Sequence, residues 1–310
     1  MNENHSGGRD RSQDVPGRID SENDNMSLQL VCHEIWGGNL SINTPVEMPG
    51  LRGHIYSQAC DGGRGGDVHS LTTCGSGLLS RMMIADVVGH GESVAAISSM
   101  VGRTMKRYMN WPDQRSVLRR LNRELSAVGF KALTTAAVMS YYPPRRWLSL
   151  SYAGHPPAWY FRKQENTWQQ LNVIESQPEQ PLEDLPLAAE LETVYTRQSL
   201  RVNLGDRLLM VTDGLLEAPD RNDKLFGSAG VTSLLTKMQS APTDDIAESL
   251  LNTVQTHCGN TEMTHDDVTF ALVEFVEGPK GSTLRNAIVN RIRRPRGNSA
   301  KLLTDNAVPV

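Results

Sequence analysis

The chain has 310 residues, 38% hydrophobic and 21% charged, with a net charge of −4, a composition typical of a soluble globular protein able to bury a sizeable core. No run approaches the ~20 consecutive apolar residues of a membrane helix, and the polar N-terminus lacks the apolar core of a signal peptide, so no membrane span is expected and the cytoplasm is the expected compartment. Cys32, Cys60, Cys74 and Cys258 stand far apart without a C-x-x-C pair, which argues against a zinc site and a disulfide framework. The charge is uneven: residues 278–310 carry seven Lys/Arg against one Asp, leaving about −10 on the rest. The acidic body argues against nucleic acid as the main ligand, while the basic tail suits an acidic partner, a membrane surface or RNA.

Residues 1–26 are rich in Asn, Asp, Ser, Gly and Arg and are expected to be disordered, because they hold too little apolar surface to offset the entropy of ordering. Strand-like segments begin at "SLQLVCHEIW" and continue with "HIYSQAC" and "LSRMMIADVV". Val94, Ile97, Val101, Met105 and Tyr108 then recur at helical spacing. A second helix is expected from about Asp113, carrying Val117, Leu118, Leu121, Leu125 and Val128, with Gly129 placed to end it. The strand-like runs "ALTTAAVMSYY", "RWLSLSYA" and "AWYF" follow, the second alternating apolar and polar residues as in a strand covered on one face. Residues 162–192 read as a long irregular connection, before "TRQSLRV" and "RLLMVTDG". Thr243 is expected to cap a third helix, with two acids following in its first turn and Ile246, Leu250, Leu251 and Val254 aligned along it, and "DVTFALVEF" is the last strand. This order suits sheets with helices packed outside them, and no internal repeat is present.

Acidic residues recur where an apolar run meets a turn: Asp67 in "GRGGD", Asp86 in "MMIADVVGHG", Asp213 in "RLLMVTDG", and Asp266 and Asp267 in "THDDVTFALVEF". Each alone is an ordinary turn sequence. Together, carboxylates from several strand ends can converge on one rim of a sheet, where their repulsion is relieved by a bound dication. Hard oxygen ligands favour Mg²⁺ or Mn²⁺ over zinc.

These blocks carry a resemblance. "GGD" at 65–67, "ADVVGHG" at 85–91, "YAGHPPAWY" at 152–160, "LGDRLLMVTDGLLEA" at 204–218 and "DDVTFALVEF" at 266–275 are similar, in order, to signatures of the metal-dependent PPM protein phosphatases of the bacterial SpoIIE/RsbU-type branch, over roughly residues 50–276. The resemblance implies an α+β fold, a four-layer αββα sandwich of two antiparallel sheets flanked by helices, over residues 27–277. It implies two divalent cations, Mn or Mg, with Asp86 bridging them and the Val87 carbonyl on one. Asp213 and Asp266 would serve the second, and Asp67 would stand beside the first, directly or through a water. Asp67 and Asp86 are then the candidate catalytic residues, acting through a metal-bound water. Asp267 matches the ligand pattern less well than Asp266. His90 is open between general acid and turn packing, whereas His155 is expected to fix a loop. Two departures stand out: Ser70 where a second acid commonly follows "GGD", and Tyr152 where Asn often precedes "AGH".

The implied activity is hydrolysis of phosphoserine or phosphothreonine on a regulatory protein, in this branch often a STAS-domain regulator of sigma factors. A rival reading is a catalytically silent module that binds a phosphoprotein; the retained Asp86, Asp213 and Asp266 argue against it. A third makes the basic tail the binding element for nucleic acid or anionic lipid. No sensor segment is recognisable, so control is left to a separate protein or to homodimerisation.

Overall fold

The computed structural model describes residues 28–30, 35–60, 63–74, 78–89, 92–109, 111, 113–171, 183–259, 263 and 265–279. The N-terminal segment 1–26, His90 and all of the basic tail except residues 278 and 279 lie outside the described residues. In chain order the described elements are β1 (Leu28–Gln29), β2 (Ile35–Gly38), β3 (Ile42–Met48), β4 (Leu51–Gln58), β5 (Val68–Cys74), β6 (Leu79–Val87), α1 (Glu92–Tyr108), α2 (Gln114–Ser126), β7 (Thr134–Tyr142), β8 (Trp147–Ala153), β9 (Trp159–Arg162), β10 (Thr167–Gln170), β11 (Gln198–Arg201), β12 (Arg207–Val211), α3 (Asp213–Leu216), α4 (Gly227–Lys237), α5 (Thr243–Cys258) and β13 (Val268–Phe275).

The strands form a seven-stranded sheet, β1-β3-β4-β13-β12-β9-β10, and a six-stranded sheet, β11-β8-β7-β6-β5-β2. Every pairing is antiparallel except β1 with β3. Side chains alternate between the two faces of a strand, and in β6 this sends Met82 and Ile84 to the core between the sheets and Met83, Ala85 and Val87 to a core shared with α1 and α2. In β13, Ala271, Val273 and Phe275 join the central core, while Val268, Phe270 and Leu272 face α4 and α5. The result is the expected four-layer α+β sandwich. Among the described residues no helix is long and apolar enough to cross a membrane.

The helices sit where the apolar spacing puts them, but Thr243 is the first residue of α5 and not its cap, and its hydroxyl donates to Glu274 at 3.2 Å instead. Asp113 caps α2, its side chain accepting from the Arg115 N–H at 3.1 Å, and Val117, Leu118, Leu121 and Leu125 are buried. The helix ends before Val128, which is exposed. Arg81, buried on the helix-facing side of β6, donates to the carbonyls of Met109 and Trp111 and so ties the end of α1 to the sheet.

Several expectations are corrected. The segment 162–192 is not wholly irregular: Thr167–Gln170 is β10, paired with β9, and residues 172–182 lie outside the described residues. Strand β8 is covered on both faces, because α2 lies over its polar side, where Gln114 donates to the Ser151 hydroxyl at 2.9 Å. Strands β3 and β5 and helices α3 and α4 add to the elements legible in the sequence.

Candidate active site

The acidic turns meet at one end of the sandwich. Strands β12 and β13 are neighbours, with Val211 opposite Phe270, and the Thr212 N–H continues the ladder by donating to the Thr269 carbonyl at 2.9 Å. Asp213, which opens α3, therefore lies beside Asp266 and Asp267, which lead into β13. Gly214 permits this closeness, since a Cβ there would fall 2.0 Å from the Asp267 carbonyl oxygen and 3.4 Å from the Asp266 Cβ. On the other sheet, Asp86 follows Met82 and Ile84 on the face toward the intersheet space, at the end of β6. Asp67 enters β5 next to it, with Val68 opposite Ala85. Gly89, at φ 102°, turns the chain away from the site toward α1.

The carboxylates act on one another electrostatically. Asp86 is half-buried, and its pKa is pushed up to about 8, first by burial and then by the charges of Asp213, Asp266 and Asp267; its carboxyl also shares a hydrogen bond with Asp213. Asp67 is buried, and burial followed by the Asp86 charge raises its pKa well above the usual carboxylate value, against the lowering effect of hydrogen bonds from Thr269 and Thr212. Burial likewise raises Asp266, which accepts the Asp267 N–H at 2.8 Å.

Asp267 has a different place from its neighbour. Its carboxylate accepts the Cys60 N–H at 2.8 Å and the Gly66 N–H, and it is buried. It thereby fastens the glycine loop that carries Asp67. The other side of that loop is held by Asn39 and Ser98, whose side chains donate to the Gly65 carbonyl at 3.3 and 2.7 Å. This role escapes the sequence, where two adjacent acids give no sign of which one turns inward.

His155 is buried and donates from Nδ1 to its neighbour's carbonyl, that of Pro156, at 3.0 Å. Tyr152 closes the same loop, its hydroxyl oxygen accepting the Ala158 N–H at 3.3 Å. Burial holds the His155 pKa near 4, so the ring is neutral at ordinary pH.

The residues present offer the oxygen donors that a hard divalent cation takes. Asp67 Oδ1 is buried and without a hydrogen-bond partner, and the Val87 carbonyl oxygen faces a cradle that a side chain would fill, 2.8 Å from where a Cβ on Gly66 would stand. Among the described residues, however, no three His, Cys, Asp or Glu side chains are gathered into a ready-made ion cage. Asp86, near the end of β6, shares its hydrogen bond with Asp213, at the start of α3 after β12, and Asp266 reaches Asp86 through its charge.

Comparison with known proteins agrees with this architecture. The family model for stage II sporulation protein E (SpoIIE) matches residues 79–276. Among solved structures, the RsbU and RsbW domains of Rv1364c from Mycobacterium tuberculosis align with a TM-score of 0.64 at 23% identity, covering 78% of this chain and 64% of that one. The PP2C phosphatase domain of SpoIIE from Bacillus subtilis, with a fragment of its regulatory domain, gives 0.56 at 18% identity, covering 79% and 64%. RsbX in complex with magnesium gives 0.55 at 18% identity, covering 75% and 99%. A comparison with curated proteins finds no match. The two sheets and their flanking helices have the fold of the PP2C phosphatase domain of SpoIIE. The chain belongs to the SpoIIE family, in the SpoIIE/RsbU-type branch of the PPM phosphatases.

Proposed function

We propose that this chain removes phosphate from serine or threonine of a regulatory protein, with a STAS-domain protein as the favoured substrate class and the cytoplasm as its compartment. The observation that carries this reading is the hydrogen bond shared by Asp86, near the end of β6, and Asp213, at the start of α3, in a chain of the SpoIIE family. Two divalent cations, Mn²⁺ or Mg²⁺, would supply Lewis acidity and lower the pKa of a bound water. Asp86 would hold the cations, together with the Val87 carbonyl. Asp213 and Asp266 would complete the ligands on the side of the seven-stranded sheet, and Asp67 offers Oδ1 on the other. Asp267 holds the Asp67 loop in place and takes no cation itself. A regulatory protein as partner is supported by the RsbU and RsbW domains of the mycobacterial neighbour, whose chain this one spans only to 64%.

The test is release of phosphate from a phosphoserine peptide with Mn²⁺, with EDTA, and by Asp86→Asn, Asp213→Asn and Asp266→Asn. Activity that needs Mn²⁺ and falls by at least a hundredfold in each variant supports the reading. Activity indifferent to chelator, or equal in the variants, refutes it; Mn²⁺ binding without turnover favours the silent binding module.

A further inference from the structure

Thr212 stands between β12 and α3, in the N-cap position of that helix, yet its side chain makes no capping hydrogen bond. Serine and threonine in that place ordinarily turn the hydroxyl toward the first free N–H groups of the helix. Here the hydroxyl leaves the helix and crosses to the other sheet, where it lies 2.9 Å from Asp67 Oδ2. The side chain is fully buried, so no water competes for it.

The polarity of this contact is settled by its neighbours. The Thr269 backbone N–H lies 2.9 Å from the Thr212 hydroxyl oxygen, and an N–H only donates, so the oxygen accepts there. The hydroxyl proton must then go to an acceptor, either Asp67 Oδ2 at 2.9 Å or the Thr269 carbonyl at 3.3 Å. The shorter contact, to the carboxylate, is the stronger. The Thr269 side chain, which also hydrogen-bonds Asp67, has its hydroxyl 2.8 Å from that of Ser57 on the adjacent strand β4. One oxygen of Asp67 is thus held by the seven-stranded sheet, and the other, Oδ1, is left buried without a partner.

We infer that Thr212 is a positioning residue for the cation site: it locks Oδ2 of Asp67 so that Oδ1 is presented as a ligand, and it makes that presentation depend on the alignment of the two sheets. The inference rests on the proposed cation-dependent function. A hydrogen-bond partner that orients a metal ligand typically changes metal affinity by about 10–100-fold when removed. Its effect must pass through Asp67, which separates this role from simple packing.

The experiment is calorimetric titration of the full chain with Mn²⁺, comparing wild type, Thr212→Val and Thr212→Ser, and repeating Thr212→Val in an Asp67→Ala background. The expected result is a Kd for Mn²⁺ raised about tenfold or more by valine, largely restored by serine, and unchanged by valine once Asp67 is gone. Thr212→Ala replaces the valine variant if that chain does not fold. Equal affinity in wild type and Thr212→Val overturns the inference and leaves the proposed function standing, as does a valine effect that persists undiminished without Asp67. A wild-type chain that binds no Mn²⁺ overturns both.

Discussion

The backbone N–H of Gly66 donates to the carboxylate of Asp267, 201 positions later in the chain. With the Cys60 N–H on the other oxygen at 2.8 Å, this clamp fixes the loop before Asp67 against the start of β13. Asp267→Ala would leave two donors without their charged acceptor, at roughly 1.5–3 kcal/mol each. Urea unfolding should show a loss of about 3–6 kcal/mol for alanine, with Mn²⁺ affinity reduced alongside it. A loss below about 1 kcal/mol would mean that the clamp contributes little.

The carboxylate rim makes stability depend on pH in a direction opposite to that of an ordinary ion-paired acid. The Asp86 pKa is about 8 in the folded chain, against an ordinary value of 3.8. Between those values the folded state binds more protons than the unfolded state, so this group's contribution to stability falls as pH rises through the window. Burial moves Asp67 and Asp266 in the same direction. Thermal melts of the cation-free protein should therefore lose more Tm from pH 5 to pH 8 than melts of Asp86→Asn. Mn²⁺, which competes with protons for carboxylates, should restore the loss at pH 8. Identical slopes for the two proteins would contradict the assignment of this effect to Asp86.

Gly214 separates α3 from the residues before β13, and a methyl group there would meet the Asp267 carbonyl oxygen at 2.0 Å. Backbone on both sides leaves no flexible side chain to yield. Gly214→Ala should push Asp213 away from Asp86 and lower Mn²⁺ affinity at least tenfold, together with a fall in Tm. The neighbouring Leu215→Ala opens a cavity and is expected to cost about 2–5 kcal/mol, with a smaller effect on affinity. If Gly214→Ala binds Mn²⁺ as wild type does, the close approach is not needed for the site.

The parts of this fold that could be read from the sequence are those in which one strand carries its own signal. Strands β6, β7 and β13 are long apolar runs, and Asp86 and Asp266 mark their ends. Strand β5 was hidden because His69, Ser70, Thr72 and Thr73 look like loop residues, although all four are buried beneath neighbouring elements. Helix α4 has Gly227 and Gly230 and weak helical propensity, and it is held by the burial of Val231, Leu234 and Leu235. The contacts of Thr212 and Asp267 arise from the alignment of segments far apart in the chain, so no local pattern marks them. Asp213 was legible as a strand-end acid, but it proves to be the first residue of a helix.

The most direct test of the central claim is an Mn²⁺ soak of crystals of the full chain, with the ions located by anomalous scattering. Two peaks about 4 Å apart are expected, with Asp86 within the roughly 2.0–2.6 Å of a ligand to both and Asp213 and Asp266 on one of them. Peaks that avoid Asp86, or a single ion bound through Asp267, would contradict the claim.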